Sequence, residues 1–349
     1  MNLNDITRTR LISQQIAGTK FKTAKEIVGW MGAVQAQDYN MSKWAVGVRL
    51  PGSTDKMIEA ALSNGEILRT HVLRPTWHFV LPEDILWMLQ LTAPRIKASM
   101  KSRHNALGLS AKVIAKSNTV IGKALEGGKH LTRDELTNEL KNAKIKIGML
   151  SKIHLLLMAE LEGIVCSGCI KDKKQTYALL QDRVVQKNKI LSREEAMAKL
   201  AQRYFTSHGP ATVQDFAWWS GLTAADAKHE LEMTAPCFIS EKINSQIYWF
   251  DKSISFPANA GPSAYLLPAY DEYLISNTDR SAALHKMTVP QDIIFKPVIV
   301  VNGHVTGLWK RMLKKDKVVA EPQFFKPPAK IAKSMVAKAT ESFSNFFMP

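Results

Sequence analysis

The pattern of apolar and polar positions repeats one order of elements, which is clearest in the middle of the chain. Thr132 and Glu135 have the spacing of a capping box at the start of an apolar-periodic run, which predicts the beginning of a helix. A second helix is predicted over residues 150–162, followed by a strand, a charged turn and a strand over 163–180. Two helices followed by a basic hairpin predict a winged helix.

Two further capping boxes begin similar units. Thr212 and Asp215 begin one copy, and Thr23 and Glu26 begin a fainter copy whose strands are expected within 73–81. The elements predicted for the Thr212 copy are helices at 216–219 and 225–233 and strands at 237–240 and 246–250. The intervals between the boxes differ, which excludes a solenoid of fixed period. We expect at least one copy to serve only as a scaffold, although a winged helix normally places its second helix in the major groove.

The pattern changes after about residue 258, where prolines interrupt it at 262, 268, 290 and 297. Runs at 293–295 and 298–301 predict strands, and Asn302-Gly303 predicts a tight hairpin between 298–301 and 305–309. A packed helix is predicted over 329–347. The pattern thus predicts an α+β fold in four parts, namely 1–105, 106–188, 189–257 and 258–349, of which the last is a small β domain with a C-terminal helix.

Composition narrows the class of partner. Hydrophobic residues make up 46% and charged residues 22% of the 349 residues, the balance of a soluble globular protein with two or three domains. Lys and Arg total 47 against 31 Asp and Glu, a net charge of +16. Such a surplus attracts polyanions, and nucleic acid is the commonest partner. A solvated basic surface and an anionic membrane are the alternatives, but no amphipathic basic helix opens the chain.

Several functional classes are excluded or disfavoured. The N-terminus lacks the apolar core of a signal peptide, and no run approaches the ~18 apolar residues needed to cross a bilayer, so a cytoplasmic location is expected. No phosphate loop, Gly-x-Ser-x-Gly or His-Glu-x-x-His motif is present. Cys166-x-x-Cys169 has no second ligand pair at zinc-finger spacing and falls in a predicted wing strand, which favours buried small hydrophobes. We therefore expect no metal and no cofactor.

The candidate chemistry lies at Gln35 and Gln37. If the helix that begins near Thr23 ends near Val34, the two glutamines follow on extended backbone, where residues two apart point the same way. Both amides would then face one spot. Composition alone favours the alternative, in which they are two solvated, idle polar residues at a helix end.

Gln35-Ala36-Gln37 resembles the Gln-aliphatic-Gln motif of the AlkZ-like DNA glycosylases, in the AlkZ/YcaQ superfamily of winged-helix proteins. Further stretches resemble the same superfamily, in order along nearly the whole chain: 68–78, 207–212 with 215–220, 266–273 with Asp279-Arg280, and 303–309. A sister branch has Gln-aliphatic-Asp, but Asp38 comes one residue too late for that pattern. Ala36 is small for the aliphatic position.

The resemblance implies about three winged helices around a basic concave surface, a small C-terminal β-barrel-like domain, and removal of N-alkylated purines or unhooking of interstrand crosslinks. The residues suit that chemistry, because amide oxygens of Gln35 and Gln37 can hold a water and favour cationic character on the sugar. Neither amide titrates near neutral pH, so a nearly flat rate between pH 6 and 8 is expected. Asp38 is the alternative catalytic group.

Other residues receive supporting roles. The residues expected to contact DNA phosphates or the lesion are Arg69, His71, Arg74, His78, Lys310 and Arg311. His71 and His78 could instead satisfy local backbone groups, and Lys310 and Arg311 could form a solvated hairpin end. Trp77 is expected in the core. Asp271, Glu272 and Arg280 are expected to form a structural ion network, since acidic groups serve poorly against phosphate.

The expected partner is damaged double-stranded DNA, bound by a monomer. The main alternative is a winged-helix regulator or damage-binding protein without turnover, which the basic charge and repeated units support equally well. Only the Gln35-x-Gln37 pair separates the two hypotheses. A nuclease would need clustered carboxylates for metal ions, and the sequence offers no convincing set.

Overall fold

The structure is a computed structural model and describes residues 2–146, 148–184, 191–254, 261–284, 292–314 and 317–348. The chain has a mixed α/β fold. It divides into two units: the first combines Met1–Ile58 with Met197–Pro349, and the second is Glu59–Ala196.

The helices, numbered in chain order, are α1 (Leu3–Ser13), α2 (Ala24–Met31), α3 (Tyr39–Gly47), α4 (Asp55–Ser63), α5 (Pro82–Ala106), α6 (Ala111–Leu125), α7 (Arg133–Asn142), α8 (Met149–Leu161), α9 (Leu180–Arg183), α10 (Arg193–His208), α11 (Val213–Ser220), α12 (Ala224–Thr234), α13 (Glu272–Ile275), α14 (Ser281–Leu284) and α15 (Lys330–Phe346). The strands are β1 (Val34–Gln35), β2 (Leu68–His71), β3 (Trp77–Val80), β4 (Leu131–Thr132), β5 (Val165–Ser167), β6 (Thr176–Leu179), β7 (Phe238–Ile243), β8 (Gln246–Asp251), β9 (Ala264–Leu267), β10 (Val298–Val301), β11 (His304–Lys314) and β12 (Lys317–Phe324).

All three predicted capping boxes begin helices. Thr23, Thr132 and Thr212 each accept the main-chain N–H of the acidic residue three positions later, whose carboxylate accepts the N–H of the threonine. The boxes satisfy donors that the first helical turn cannot pair internally. The sequence therefore located the starts of α2, α7 and α11 correctly.

The second unit contains the predicted order of two helices and a hairpin, as α7, α8 and β5–β6. Strand β6 pairs antiparallel with both β4 and β5, and the chain turns at 171–174, where Asp172 and Lys173 have positive φ. A core of apolar side chains from α6, α7, α8 and this sheet includes Ile121, Leu125, Leu136, Leu140, Leu155, Leu156, Val165 and Leu179.

The two cysteines of the Cys-x-x-Cys pair lie in different environments. Cys166 is fully buried in β5, and burial raises the pKa of its thiol to about 12. Cys169 lies beyond the end of β5, outside the strand in which it was predicted, because β5 ends at Ser167. Cys166 is thus a protonated core side chain, as expected for a buried cysteine.

The strands predicted within 73–81 begin earlier than expected. They are β2 and β3, which pair antiparallel from Leu68↔Val80 to His71↔Trp77. The segment after His71 is instead the connection, because Leu73 has a φ of +64° and Pro75 supplies no N–H for a ladder.

In the first unit, the four elements predicted after Thr212 are present as α11, α12, β7 and β8. Gly221 ends α11 in the left-handed conformation, with a φ of +70°. The polar turn between the strands is Asn244-Ser245, since β7 and β8 pair up to Ile243↔Gln246. The predicted strands are thus slightly too short, whereas their order and pairing agree with the structure.

The C-terminal region forms a curled, half-barrel sheet of antiparallel strands in the order β12-β11-β10-β9. The predicted Asn302-Gly303 hairpin joins β10 to β11, with φ values of +51° and +85°. The strand predicted at 293–295 is wrong: Ile293–Phe295 is a single 3-10 turn, because Ile293 packs into the core and Pro297 cannot donate to a ladder. Pro290 lies outside the described residues.

The predicted C-terminal helix is α15, and it packs on the sheet and on α3. Phe343 and Phe346 are buried, each with its ring centroid 5.2 Å from that of Trp44. The ring centroid of Phe343 also lies 4.6 Å from that of Trp309 in β11.

The four predicted domain ranges stay a prediction. The boundaries at 188/189 and 257/258 fall in 185–190 and 255–260, outside the described residues. Among the residues that are described, no helix is both long and apolar enough to cross a bilayer.

Candidate active site

The backbone at Gln35 is extended, as the Gln-x-Gln hypothesis requires. Helix α2 ends at Met31, three residues before the predicted end, because Gly32 leaves the helical region with a φ of +76°. Val34 and Gln35 then form β1.

The two glutamines differ in exposure. Gln35 is only 5% exposed, whereas the Gln37 side chain is exposed. Asp38, the alternative catalytic group, is the N-cap of α3, and its Oδ1 accepts the Met41 N–H at 3.1 Å. That bond gives Asp38 a structural task beside the pair.

Glu272 fixes the main chain of Gln35 from the start of α13. Its Oε1 accepts the Gln35 N–H at 2.7 Å, and its Oε2 accepts the Trp219 Nε1–H at 3.0 Å. His208 Nε2 lies 3.5 Å from the same Oε2. Glu272 is fully buried, and a buried carboxylate is tolerable only when donors surround it as they do here.

The next residue, Asp271, anchors Glu272 through a buried ion pair. Both Arg49 terminal nitrogens donate to Asp271 at 2.8 Å, in a bidentate arrangement. Arg49 also donates to the Gln14 side chain at 3.0 Å, and Gln14 donates to the Glu272 carbonyl at 3.4 Å. We call the set Gln14, Arg49, Asp271 and Glu272 the Glu272 support. The support therefore holds the Asp271-Glu272 main chain through contacts between protein groups.

The predicted ion network of Asp271, Glu272 and Arg280 is therefore wrong in its cation. Arg280 donates to the Leu274 and Thr278 carbonyls, and Arg49 takes the place assigned to it. Arg49 could not be selected from sequence, because it lies 222 residues from Asp271 and only the fold brings them together.

The His208 side chain packs beside the Glu272 carboxylate. The ring is fully buried, stacks on Tyr204 at 4.9 Å, and contacts the Ser207 hydroxyl through Nδ1. Burial lowers the pKa of His208 below its ordinary value, against the opposing effect of Glu272. The ring is thus neutral at pH 7.

In the second unit, the β2–β3 hairpin brings together Arg69, His71 and Trp77. The Arg69 guanidinium carbon lies 4.2 Å from the centre of the Trp77 ring, and the His71 ring lies 4.4 Å from it. His71 Nδ1 is in direct contact with Glu160 Oε2 on α8, and Trp77 Nε1 donates to Glu160 Oε1 at 3.3 Å. Trp77 is only partly buried, which corrects its predicted place in the core: the side chains of Arg69 and Glu160 contact it.

The other two predicted residues of this hairpin point to different surroundings. Arg74 lies in the connection between β2 and β3 and is partly exposed. His78 is fully buried on β3, where its Nδ1 donates to the Thr76 carbonyl at 2.9 Å. The local backbone bond supports the structural interpretation of His78.

Lys310 and Arg311 are both exposed, in the second half of β11. They oppose Glu321 and Ala320 of β12 rather than forming a hairpin end, because β11 extends beyond its predicted last residue. The Arg311 guanidinium carbon lies 4.8 Å from the Phe347 ring. Their side chains remain available to a polyanion.

Sequence reasoning missed the roles of Glu272 and Glu160, although Glu272 lies in the 266–273 stretch that carried the resemblance. Because carboxylates repel phosphate, the sequence assigned Glu272 only to a structural ion network, and no sequence signal singled out Glu160. Among the described residues, no three or more histidine, cysteine or acidic side chains are grouped to hold a metal ion.

Comparisons with known proteins agree on one family. The sequence model of the family described as "DNA glycosylase AlkZ-like" matches residues 28–346. An interstrand DNA cross-link repair glycosylase from Streptomyces sahachiroi is 22% identical over 333 residues, covering 90% of this chain and 89% of that protein. The solved structure of Streptomyces sahachiroi DNA glycosylase AlkZ has the same fold, with a TM-score of 0.80, 20% identity, and coverage of 99% of this chain and 96% of that one.

Proposed function

The chain belongs to the AlkZ-like family of DNA glycosylases, and on that premise we propose that it hydrolyses the N-glycosidic bond of cationic N-alkylated purines in double-stranded DNA. Gln35 and Gln37 hold the attacking water. The observation that carries the proposal is the buried Gln35, whose main-chain N–H is bound by Glu272. The name of the Streptomyces relative supports interstrand crosslinks as a second substrate.

The reaction needs little base strength. Alkylation at N7 makes the purine a positively charged leaving group. When the bond between sugar C1′ and purine N9 breaks, its electron pair goes to N9 and neutralises the ring, while C1′ becomes cationic. The water oxygen bonds to C1′ and its proton passes to solvent. Amide oxygens that accept from this water orient it and stabilise the developing charge.

Glu272 acts as a positioning residue in this scheme. It fixes the Gln35 main chain, so that the backbone that carries the side-chain amide does not have to be ordered when DNA binds. Because both carboxylate oxygens already accept N–H groups, Glu272 is not assigned the role of a base. Burial lowers the pKa of the neighbouring His208, so this ring is neutral at pH 7.

DNA binding is assigned to winged-helix units at α7–α8 with β5–β6, at α11–α12 with β7–β8, and at the copy beginning with α2. The helix-helix-hairpin order of the first two supports this interpretation. Four arginine and lysine side chains are proposed to contact the DNA backbone: exposed Lys310 and Arg311, partly exposed Arg74 and buried Arg69. Buried His78 is given no DNA contact.

An abasic-site assay tests the proposal. Duplex DNA carrying N7-methylguanine is incubated with wild type, with the Gln35→Ala/Gln37→Ala double variant, and with Gln202→Ala as an exposed control on α10. We expect base release by wild type and the control but not by the double variant, with DNA binding intact in all three. The wild-type rate should be nearly flat between pH 6 and 8; a bell-shaped profile would assign catalysis to another group.

The second candidate function is a winged-helix DNA-binding protein without turnover. It is favoured by the same basic charge and by Gln37 being exposed. If wild type releases no base from methylated or crosslinked duplexes but binds undamaged DNA well, this second function replaces the first.

A further inference from the structure

A cavity in the second unit lies beside the Arg69–Trp77 stack. Its volume is about 370 Å³, within the range of small-molecule sites, and its walls come from the β2–β3 hairpin, β4 and the start of α7, α8 and the β5–β6 hairpin. The residues that matter here are Arg69, Trp77, Arg133, Glu160, Lys174 and Gln175. We call it the Trp77 cavity.

Two guanidinium groups face this cavity around one indole ring. The guanidinium carbons of Arg69 and Arg133 lie 4.2 and 6.0 Å from the centre of the Trp77 ring, so they are separated by no more than the sum of those distances. Arg133 also hydrogen-bonds the buried Tyr177 side chain. Lys174, exposed on the hairpin, adds a third cation at the rim.

Arg69 is positioned by Trp77 and Gln175, and Trp77 is held in turn by the buried Glu160. Glu160 is only 1% exposed and accepts the Trp77 Nε1–H, while His71 contacts its other oxygen. The indole held in this way supports the Arg69 guanidinium from one side, and Gln175 accepts from Arg69 Nη1 on another. A guanidinium that is held by stacking and by a neutral amide loses little rotamer freedom when an anion binds.

The charges of the cavity select an anion over a cationic base. Arg69, Arg133 and Lys174 line it, against the carboxylates of Glu160 and Asp134. The Glu160 carboxylate is already bound by Trp77 and His71, and Asp134 is exposed to solvent. Stacked arginines whose planar forks bind oxygen pairs are the usual partners of phosphate. A stacked nucleobase is disfavoured, because the Arg69 guanidinium already covers the Trp77 ring.

We infer that the Trp77 cavity binds a phosphodiester of the DNA backbone, with Arg133 as a phosphate ligand beside Arg69 and with Glu160 as the residue that positions their support. The inference rests on the proposed function only in naming DNA as the source of the phosphate. It adds Arg133 and Lys174 to the DNA-binding residues and gives Trp77 the role of a support rather than a platform for bases.

The test is the salt dependence of binding to a short undamaged duplex, measured by fluorescence anisotropy on the full chain. Each phosphate contact that is lost makes the slope of log K against log salt less steep by about 0.9. We expect that change for Arg133→Gln and for Lys174→Gln, with affinity about tenfold lower for Arg133→Gln at low salt. Arg133→Lys keeps the charge and should retain most of the slope.

Arg95→Gln is the matched control, since Arg95 is exposed on α5 and does not line the cavity. Equal slopes for wild type, Arg133→Gln and Lys174→Gln would overturn the inference, and so would an equal loss in Arg95→Gln. Lys174 is exposed, so its variant tests the site even if Arg133→Gln unfolds. Base release from methylated DNA is measured separately. A change of slope in the variants without base release by wild type would support the phosphate site and reject the glycosylase function. Base release by wild type with unchanged slopes would support the glycosylase function and reject the phosphate site.

Discussion

Glu272 shows how one buried residue connects the fold to the proposed chemistry. Its two carboxylate oxygens accept hydrogen bonds from the Gln35 main-chain N–H and from the Trp219 side chain. Gln14 of the Glu272 support donates to its main-chain carbonyl. Gln37, two residues away, is exposed, so the pair combines a buried member with an exposed one. Glu272 is thus the residue whose substitution most directly tests the positioning of Gln35.

We predict that Glu272→Gln lowers the rate of base release about ten- to a hundredfold while leaving the affinity for undamaged DNA unchanged. The amide has one oxygen, so its NH2 group must face either the Gln35 N–H or Trp219. The same loss should lower the free energy of unfolding by about 1–3 kcal/mol. Single-turnover kinetics and urea unfolding measure the two effects.

Glu232→Gln is the control for this variant, because Glu232 is exposed on α12 and pairs only loosely with Lys228. A Glu272→Gln enzyme that is less stable but has the wild-type rate below its unfolding transition would show that the carboxylate is structural and does not position Gln35.

At the scale of elements, aromatic side chains on one face of α15 pack this helix against the rest of the first unit. Phe343 is fully buried between Trp44 and Trp309, whereas Ile331 in the first turn of the same helix is 60% exposed. Gly47 of α3 faces the Phe346 ring so closely that a Cβ there would collide with it. The helix is therefore fixed by fit at its C-terminal half.

We predict that Phe343→Ala lowers the free energy of unfolding by about 3–5 kcal/mol, because it opens a cavity between two tryptophans. Ile331→Ala, in the same helix, should change it by less than about 0.5 kcal/mol. Urea unfolding followed by tryptophan fluorescence compares them. Similar costs for both variants would contradict the aromatic attachment of α15.

At the scale of the whole molecule, buried histidines make stability depend on pH. Burial lowers the pKa values of His208 in the first unit and of His104 and His154 in the second. Below pH 6.5 the unfolded chain takes up protons that the folded chain refuses, so the unfolded state binds more protons and stability rises with pH in that window. The stabilisation is complete above the unfolded pKa and is lost as the pH falls toward the folded values.

We therefore predict that the free energy of unfolding decreases from pH 7 to pH 5, with at most about 1.4 kcal/mol per pH unit from each histidine. His208→Gln should remove its share of that slope. Its stability relative to wild type at pH 8 gives the cost of the lost packing and polar contacts, since the histidine is then neutral in both the folded and the unfolded state. A variant that keeps the full wild-type slope between pH 7 and 5 would disprove the assignment to His208.

Local signals in the sequence determined the helix starts and the tight hairpin, whereas the extended backbone at Gln35 was only a condition of the Gln-x-Gln hypothesis. A capping box or an Asn-Gly turn is decided by neighbours in the chain, so Thr132 with Glu135 and Asn302 with Gly303 are found where they were predicted. The Gln-x-Gln pair and the family were likewise evident from residue order.

Only the tertiary structure decided the partners of the buried charges. Arg49 meets Asp271 across 222 residues, and Glu160 meets His71 across 89. No periodicity encodes such pairs, because burial of a charge is stabilised by whichever opposite group or donor the fold brings near it. For the same reason Trp77, which composition assigned to a core, stands beside a cavity among guanidinium groups.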